Sequence, residues 1–165
     1  MSAAETSINV TAMTADSDAQ VCARMMAESE PWVTLGRGYE ASLAILRDAS
    51  KERYVARAGG EVVGFLILNM GGALAGYIQT VCVAEKNRGQ GIGARLMAFA
   101  EERIFRDSPN VFLCVSSFNA GARRLYDRLG YRVVGELADY LVAGHSETLM
   151  RKTIGSLTDF RKKAG

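Results

Sequence analysis

Val81-Cys82-Val83-Ala84-Glu85-Lys86-Asn87-Arg88-Gly89-Gln90-Gly91-Ile92-Gly93-Ala94 runs from an apolar strand through a short polar turn into a glycine-rich helix start. The glycines at 89, 91 and 93 carry no Cβ, so backbone N–H groups can approach a ligand closely. The first turn of the helix adds free N–H groups and the positive end of its dipole, a combination suited to a phosphate. Arg88 places a permanent positive charge with several donors at the same point. An ordinary strand-to-helix turn needs one or two such glycines rather than three in alternation beside an arginine. The stretch therefore reads as an anion-binding turn.

Upstream, Arg53–Ala58 and Glu61–Asn69 flank Gly59-Gly60 as a hairpin with a two-residue turn. Gly71-Gly72 punctuates before Tyr77–Val83, giving a three-stranded antiparallel meander that leads into the glycine turn. Val62–Leu68 is apolar on both faces, which predicts a central strand covered by helices on both sides. Before the meander, Ile8–Met13 alternates as a strand. A first helix follows, capped by Thr14, Asp16 or Ser17 and ended near Glu30 by Pro31. The loop from Pro31 to Gly38 displays the only tryptophan, Trp32, and helical spacing resumes from Tyr39 to Asp48.

Downstream, Ile92, Leu96, Phe99, Ala100 and Ile104 recur at helical spacing until Asp107-Ser108-Pro109-Asn110. Val111–Val115 is a short buried strand, and the strand, helix, strand order implies a right-handed crossover that makes it parallel to Tyr77–Val83. A helix from Ala120 to Leu129 is closed by Gly130, and Tyr131–Leu137 with Glu147–Lys152 form a last antiparallel pair. The expected fold is α/β (α+β), a mixed and mostly antiparallel sheet of about seven strands flanked by about four helices. Residues 1–165 read as a single domain, with 1–7 and 154–165 as flexible tails.

The 165 residues are 48% hydrophobic and 23% charged with a net charge of +2, which gives no case for a nucleic-acid or membrane footprint. Cys22, Cys82 and Cys114 have no metal-ligand spacing, and they suit reduced thiols in a cytoplasm. No basic-then-apolar leader and no membrane-length apolar run is present, so the expected location is cytoplasmic.

Gly89-Gln90-Gly91-Ile92-Gly93-Ala94 formally satisfies the G-x-G-x-x-G/A dinucleotide fingerprint, so a nucleotide-dependent oxidoreductase is the first reading to weigh. Two features oppose it. The polar run Ala84–Arg88 separates the strand from the glycines, and the next strand ends in Ser116-Ser117 where a ribose-binding acid belongs. A Walker loop fails because no Gly-Lys-Ser/Thr follows.

Arg88-Gly89-Gln90-Gly91-Ile92-Gly93 resembles the Arg/Gln-x-x-Gly-x-Gly/Ala turn of the GNAT superfamily of acyl-CoA-dependent N-acyltransferases. A second signature of that family, Asn-x-x-Ala-x-x-x-Tyr-x-x-x-Gly-Phe/Tyr, falls on Asn119, Ala122, Tyr126, Gly130 and Tyr131. The strand and helix order from Ile8 to Lys152 is similar to the family's as well. The resemblance implies N-acetyl transfer from acetyl-CoA to a primary amine of a small molecule, a protein N-terminus or a lysine. It implies that the backbone of Val81, Cys82 and Val83 pairs with the pantetheine arm and that N–H groups from Gly89 to Ala94, beside Arg88, take the pyrophosphate. It further implies parallel strands that splay where the cofactor enters, a hydrogen bond from Asn119 to the cofactor arm, and Tyr126 at the sulfur as general acid.

Acyl transfer from a thioester to an amine needs a neutral amine, a stabilised oxyanion and a proton for the departing thiolate. A backbone N–H near Val83 is the expected oxyanion donor. The general base stays open, with a water chain from Glu30, Glu147, His145 or a strand hydroxyl such as Thr80 as the candidates, because the strand position where some relatives carry a glutamate is here Cys114. Cys114 itself has no nearby histidine and reads as core, and the single His145 makes a metal site unexpected. The Pro31–Tyr39 loop and the Tyr140–Glu147 connection are the expected acceptor walls, with Trp32, Tyr39 and Tyr140 as substrate contacts. Trp32 reads equally well as a hydrophobic plug between two helices. A sensor that binds acyl-CoA without turnover is the alternative class, and the oligomeric state is open, a homodimer included.

Overall fold

A computed structural model describes residues 7–164. The sequence reading of residues 1–7 as a flexible tail thus falls, apart from Ser7, outside the described residues. Seven strands, β1 (Ile8–Ala12), β2 (Glu52–Ala58), β3 (Glu61–Asn69), β4 (Tyr77–Val83), β5 (Asn110–Ser116), β6 (Arg132–Leu137) and β7 (Glu147–Thr153), form one sheet in the order β1-β2-β3-β4-β5-β7-β6. Five helices accompany it: α1 (Asp16–Ala27), α2 (Tyr39–Leu46), α3 (Ile92–Ile104), α4 (Ala120–Arg128) and α5 (Leu157–Ala164). All strand pairs are antiparallel except β4 with β5.

The apolar run in β3 explains the layering. Leu66 and Leu68 enter one core cluster with Leu96, Met97, Ala100 and Ile104 of α3, while Phe65 and Ile67 enter a second with Ala19, Cys22, Ala23 and Met26 of α1 and Leu43 and Leu46 of α2. Each such fully buried side chain contributes about 1.5–3 kcal/mol, so a strand buried on both faces anchors two layers at once. Gly64 seats α3 closely on the sheet. A Cβ there would stand 2.7 Å from the Cys82 carbonyl oxygen and 3.1 Å from Leu96 Cδ1.

The middle of the sheet is divided. β4 and β5 pair only at Tyr77 with Phe112 and Ile78 with Leu113. The neighbouring ladder shows why: Ile67 of β3 faces Thr80 while Leu68 faces Ile78, so Gln79 is the extra residue of a β-bulge. A bulge bends its strand and raises the local twist, and pairing with β5 stops at this residue.

Three details depart from the sequence reading. Helix α1 starts at Asp16 behind Ala15 with no side-chain cap, because the Asp16 carboxylate is committed to Gln20 and to both Nε and Nη2 of Arg47. That helix also ends at Ala27, ahead of Glu30. Residues 157–164 form α5, a helix that the sequence reading does not place. Its first turn is held by reciprocal bonds in which Ser156 Oγ donates to Asp159 and the Asp159 N–H donates to Ser156 Oγ.

Candidate active site

The glycine turn is built from backbone. A 3-10 turn, Glu85–Asn87, carries the chain from β4, and the Ala84 N–H is fixed 2.9 Å from the Val63 carbonyl. Gly89 and Gly91 then adopt φ of +74° and +77°, left-handed values that cost an L side chain about 1–2 kcal/mol. The first helical bond of α3 runs from the Arg95 N–H to the Gly91 carbonyl, and no side chain caps the helix. Among the described residues, the N–H groups from Gly89 to Ala94 therefore have no protein acceptor. Six consecutive donors at a helix N-terminus fit a pyrophosphate. Arg88 is exposed beside them, its Nε donating to the Val83 carbonyl at 3.3 Å.

A cleft of ≈ 520 Å³ opens over this turn, lined by Val81, Cys82, Val83, Arg88, Gly89, Gly91, Ile92, Gly93, Ala94, Asn119 and Tyr126. The structure thus gathers nearly all of the residues expected to hold acetyl-CoA. Gln90 does not line the cleft, and its side-chain amide donates to the Lys86 carbonyl at 3.5 Å. Asn119 has a structural duty as well: its Oδ1 accepts from the Ala122 N–H and caps α4, leaving its amide nitrogen as the donor available to a ligand. Asn87, Leu125 and Arg128 also line the cleft and went unread in the sequence, although Leu125 and Arg128 flank Tyr126 on the same helix.

A smaller cleft of ≈ 90 Å³ lies between the splayed strands and shares Trp32, Val81, Asn119 and Tyr126 with the first. Trp32 is 8% exposed and belongs to the α1–α2 core cluster, so it is both the plug and a wall. Tyr39 lines neither cleft, since its ring lies under the Arg24 guanidinium at 5.9 Å. Tyr140 also lines neither. It is 59% exposed, and the adjacent Leu141 reaches the smaller cleft instead.

The possible bases separate clearly. Glu30 lines the larger cleft but is exposed, and both its oxygens accept bonds from Thr34. His145 stacks edge-on against Phe118 at 5.0 Å and lines neither cleft. Glu147, at the start of β7, is 4% exposed and lines the smaller cleft. Its Oε1 accepts from Ser116 Oγ at 2.8 Å, whereas Oε2 has no partner. Burial holds this carboxyl above the ordinary glutamate range, although the Ser116 bond opposes the shift. Thr80 Oγ1 is a second buried, unpartnered oxygen on the same cleft.

Burial pushes the Tyr126 phenol up to about 12, which keeps it protonated across the neutral range. Desolvation likewise raises the Cys114 thiol, with Tyr77 opposing and Glu147 reinforcing, so Cys114 is not a thiolate nucleophile. Tyr131 of the second motif is structural: it is 1% exposed, donates to Glu101 at 3.0 Å and packs edge-on with Tyr126. Among the described residues there is no group of three or more His, Cys, Asp or Glu side chains that could hold a metal. No helix among them is long and apolar enough to cross a membrane.

Known proteins resemble this chain in sequence and in fold. Over 101 residues the chain is 36% identical to an uncharacterized N-acetyltransferase of Methanocaldococcus jannaschii, covering 60% of this chain and 64% of that protein. A GNAT-family structure from Desulfovibrio desulfuricans superposes with a TM-score of 0.77 at 17% identity, covering 90% of this chain and all 100% of the other. A Bacillus anthracis structure in complex with acetyl coenzyme A matches with a TM-score of 0.59 at 20% identity, over 66% of this chain and 65% of its own. The sequence profile of the Acetyltransferase (GNAT) family matches residues 18–131, which contain both the glycine turn and Tyr126, and the chain belongs to that family.

Proposed function

We propose that the protein moves an acetyl group from acetyl-CoA to a primary amine by direct attack in a ternary complex. The observation that carries this reading is the meeting of two clefts at Trp32, Val81, Asn119 and Tyr126, one built for an anion and one holding a buried carboxylate. Acetyl-CoA supplies the acyl group as a thioester. The N–H groups from Gly89 to Ala94 and Arg88 hold its pyrophosphate, and the unpaired edge of β4 at Val81–Val83 holds the pantetheine arm.

Glu147 accepts a proton from the acceptor ammonium, directly or through a water on Thr80, and frees the nitrogen lone pair for attack on the acyl carbon. A backbone N–H near Val83 takes the developing oxyanion. As the C–S bond breaks, Tyr126 donates its proton to sulfur and regains one from solvent, the second nitrogen proton leaves to solvent, and Glu147 passes the first to solvent. The net change is one ammonium and one thioester consumed, with one amide, one thiol and one proton formed. A cytoplasmic location goes with the free, buried Cys22 and Cys82 and the half-buried Cys114.

The test is thiol release from acetyl-CoA across a panel of amines, with binding followed in parallel by calorimetry. Turnover with at least one amine is expected. Tight acetyl-CoA binding with no thiol release from any amine would instead assign the protein as a sensor.

A further inference from the structure

The smaller cleft is lined by two residues of opposite charge that do not pair with each other. Glu147 is buried there with Oε2 unpartnered. Arg37 lines the same cleft from the loop between α1 and α2, half-buried, with its backbone N–H fixed to the Trp32 carbonyl at 2.9 Å. Among the described residues Arg37 is the one Arg or Lys that lines this cleft, and it forms no ion pair with Glu147 or with any other carboxylate. A buried or half-buried charge is costly until it meets a counter-charge. Two residues of opposite charge that line one cleft without pairing suit a ligand that carries both partners.

We propose that the acceptor is a zwitterion, a small free amino acid whose ammonium meets Glu147 and whose carboxylate meets Arg37. This rests on the acetyl-transfer reading above. The cleft, at ≈ 90 Å³, suits a small acceptor. A polyamine would bring a second cation toward Arg37, and like charges at an interface are repelled. A peptide N-terminus would present a neutral carbonyl to Arg37 and leave the guanidinium unpaired. Arg37 is suited to the carboxylate because its planar fork can donate two parallel bonds. The reaction on this acceptor is the balanced transfer already described, with the acceptor carboxylate unchanged.

The experiment compares thiol release with glycine, alanine and serine, with the amide of each, with tripeptides beginning in each, and with spermidine. The free acids should exceed their amides in kcat/KM by about 100-fold or more, the scale of losing one partner of a buried charge pair. Arg37→Ala should bring that ratio toward one by raising KM for the acids, and Arg37→Lys should keep part of it. Acetyl-CoA calorimetry reports whether each variant is folded, and if neither is, the ratio in the native protein decides. Robust turnover of amides, tripeptides or spermidine at rates matching the acids overturns the zwitterion while acetyl transfer stands. No thiol release with any amine overturns both.

Discussion

The two halves of the site are built by different means. The half proposed for the cofactor draws most of its lining from one continuous stretch, residues 81–94, with Asn119, Leu125, Tyr126 and Arg128 added from α4 and its cap, and its free donors are backbone groups whose positions are set by Gly89 and Gly91. The acceptor half draws single side chains from separate parts of the chain: Trp32 and Arg37 from a loop, Thr80 from β4, Ser116 from β5, Leu141 from a connection and Glu147 from β7. Backbone donors are present whatever the side chains are, provided the turn can form, so this half needs a local pattern only. Side-chain charges instead depend on what the fold places around them, as the raised carboxyl of Glu147 shows.

Placing charge on the backbone-built half should give the largest effect. Gly91→Glu puts a carboxylate among the donors meant for a pyrophosphate, and a like-charge contact of several kcal/mol corresponds to a loss of acetyl-CoA affinity of about 100-fold or more. Gly91→Ala isolates the conformational part: an ideal Cβ at this position meets no neighbour, so only the positive φ is penalised and affinity should fall far less. Calorimetry of the two variants decides between charge and strain, and equal affinities in native and Glu variants would remove the turn from the site.

On the side-chain-built half, Glu147→Gln should lower kcat by about 10³-fold, within the range for loss of a general base. The same substitution should change stability in the opposite sense. The folded-state pKa of Glu147 is raised, so its stabilising contribution is fully present below the ordinary glutamate value and is lost as pH rises through the folded value. Thermal melts should therefore place the variant above the native protein at neutral pH, with the gap closing near pH of about 4. Native-like kcat in the variant would return the base to the water held by Thr80. The acid limb of native kcat/KM should also lie above the ordinary glutamate value.

Tyr126 lies where the halves meet, and Tyr126→Phe should leave acetyl-CoA affinity nearly intact while lowering kcat by about 10²-fold, the low end for general acid catalysis. The loss is modest because a thiol of pKa about 8–9 gives a fair leaving group without help. With the phenol pushed up to about 12, its alkaline limb lies beyond the range of most assays, so kcat is the measurement that decides. Unchanged turnover would exclude Tyr126 from proton transfer.

This division also sets what could be read from the chain. The sheet, the crossover and the glycine turn were legible because each has a local signature: Gly59-Gly60 for the hairpin, the apolar run of β3, and the i, i+4 spacing of α3. Glu147 was one of four open choices for the base, since nothing local separates a buried strand-end glutamate from an exposed one. Arg37 had no signal beyond its place in a loop. Helix α5 was missed although Ser156-Leu157-Thr158-Asp159 carries a capping-box pattern, because its exposed, basic composition reads as a tail. The Gln79 bulge has no sequence mark at all, since an extra residue shows only when the partner strand is aligned beside it.

That extra residue has a thermodynamic consequence. The two middle strands have seven residues each, yet only two residue pairs join them. At about 0.5–1.5 kcal/mol net per hydrogen bond, a fully zipped ladder would add several kcal/mol, a large part of the 5–15 kcal/mol that holds a typical domain folded. The molecule forgoes that stability to keep a slot between its own strands. A change that straightened β4 would yield a hardier protein with that slot closed, so under the proposed function robustness and activity are set against each other by one unpaired glutamine.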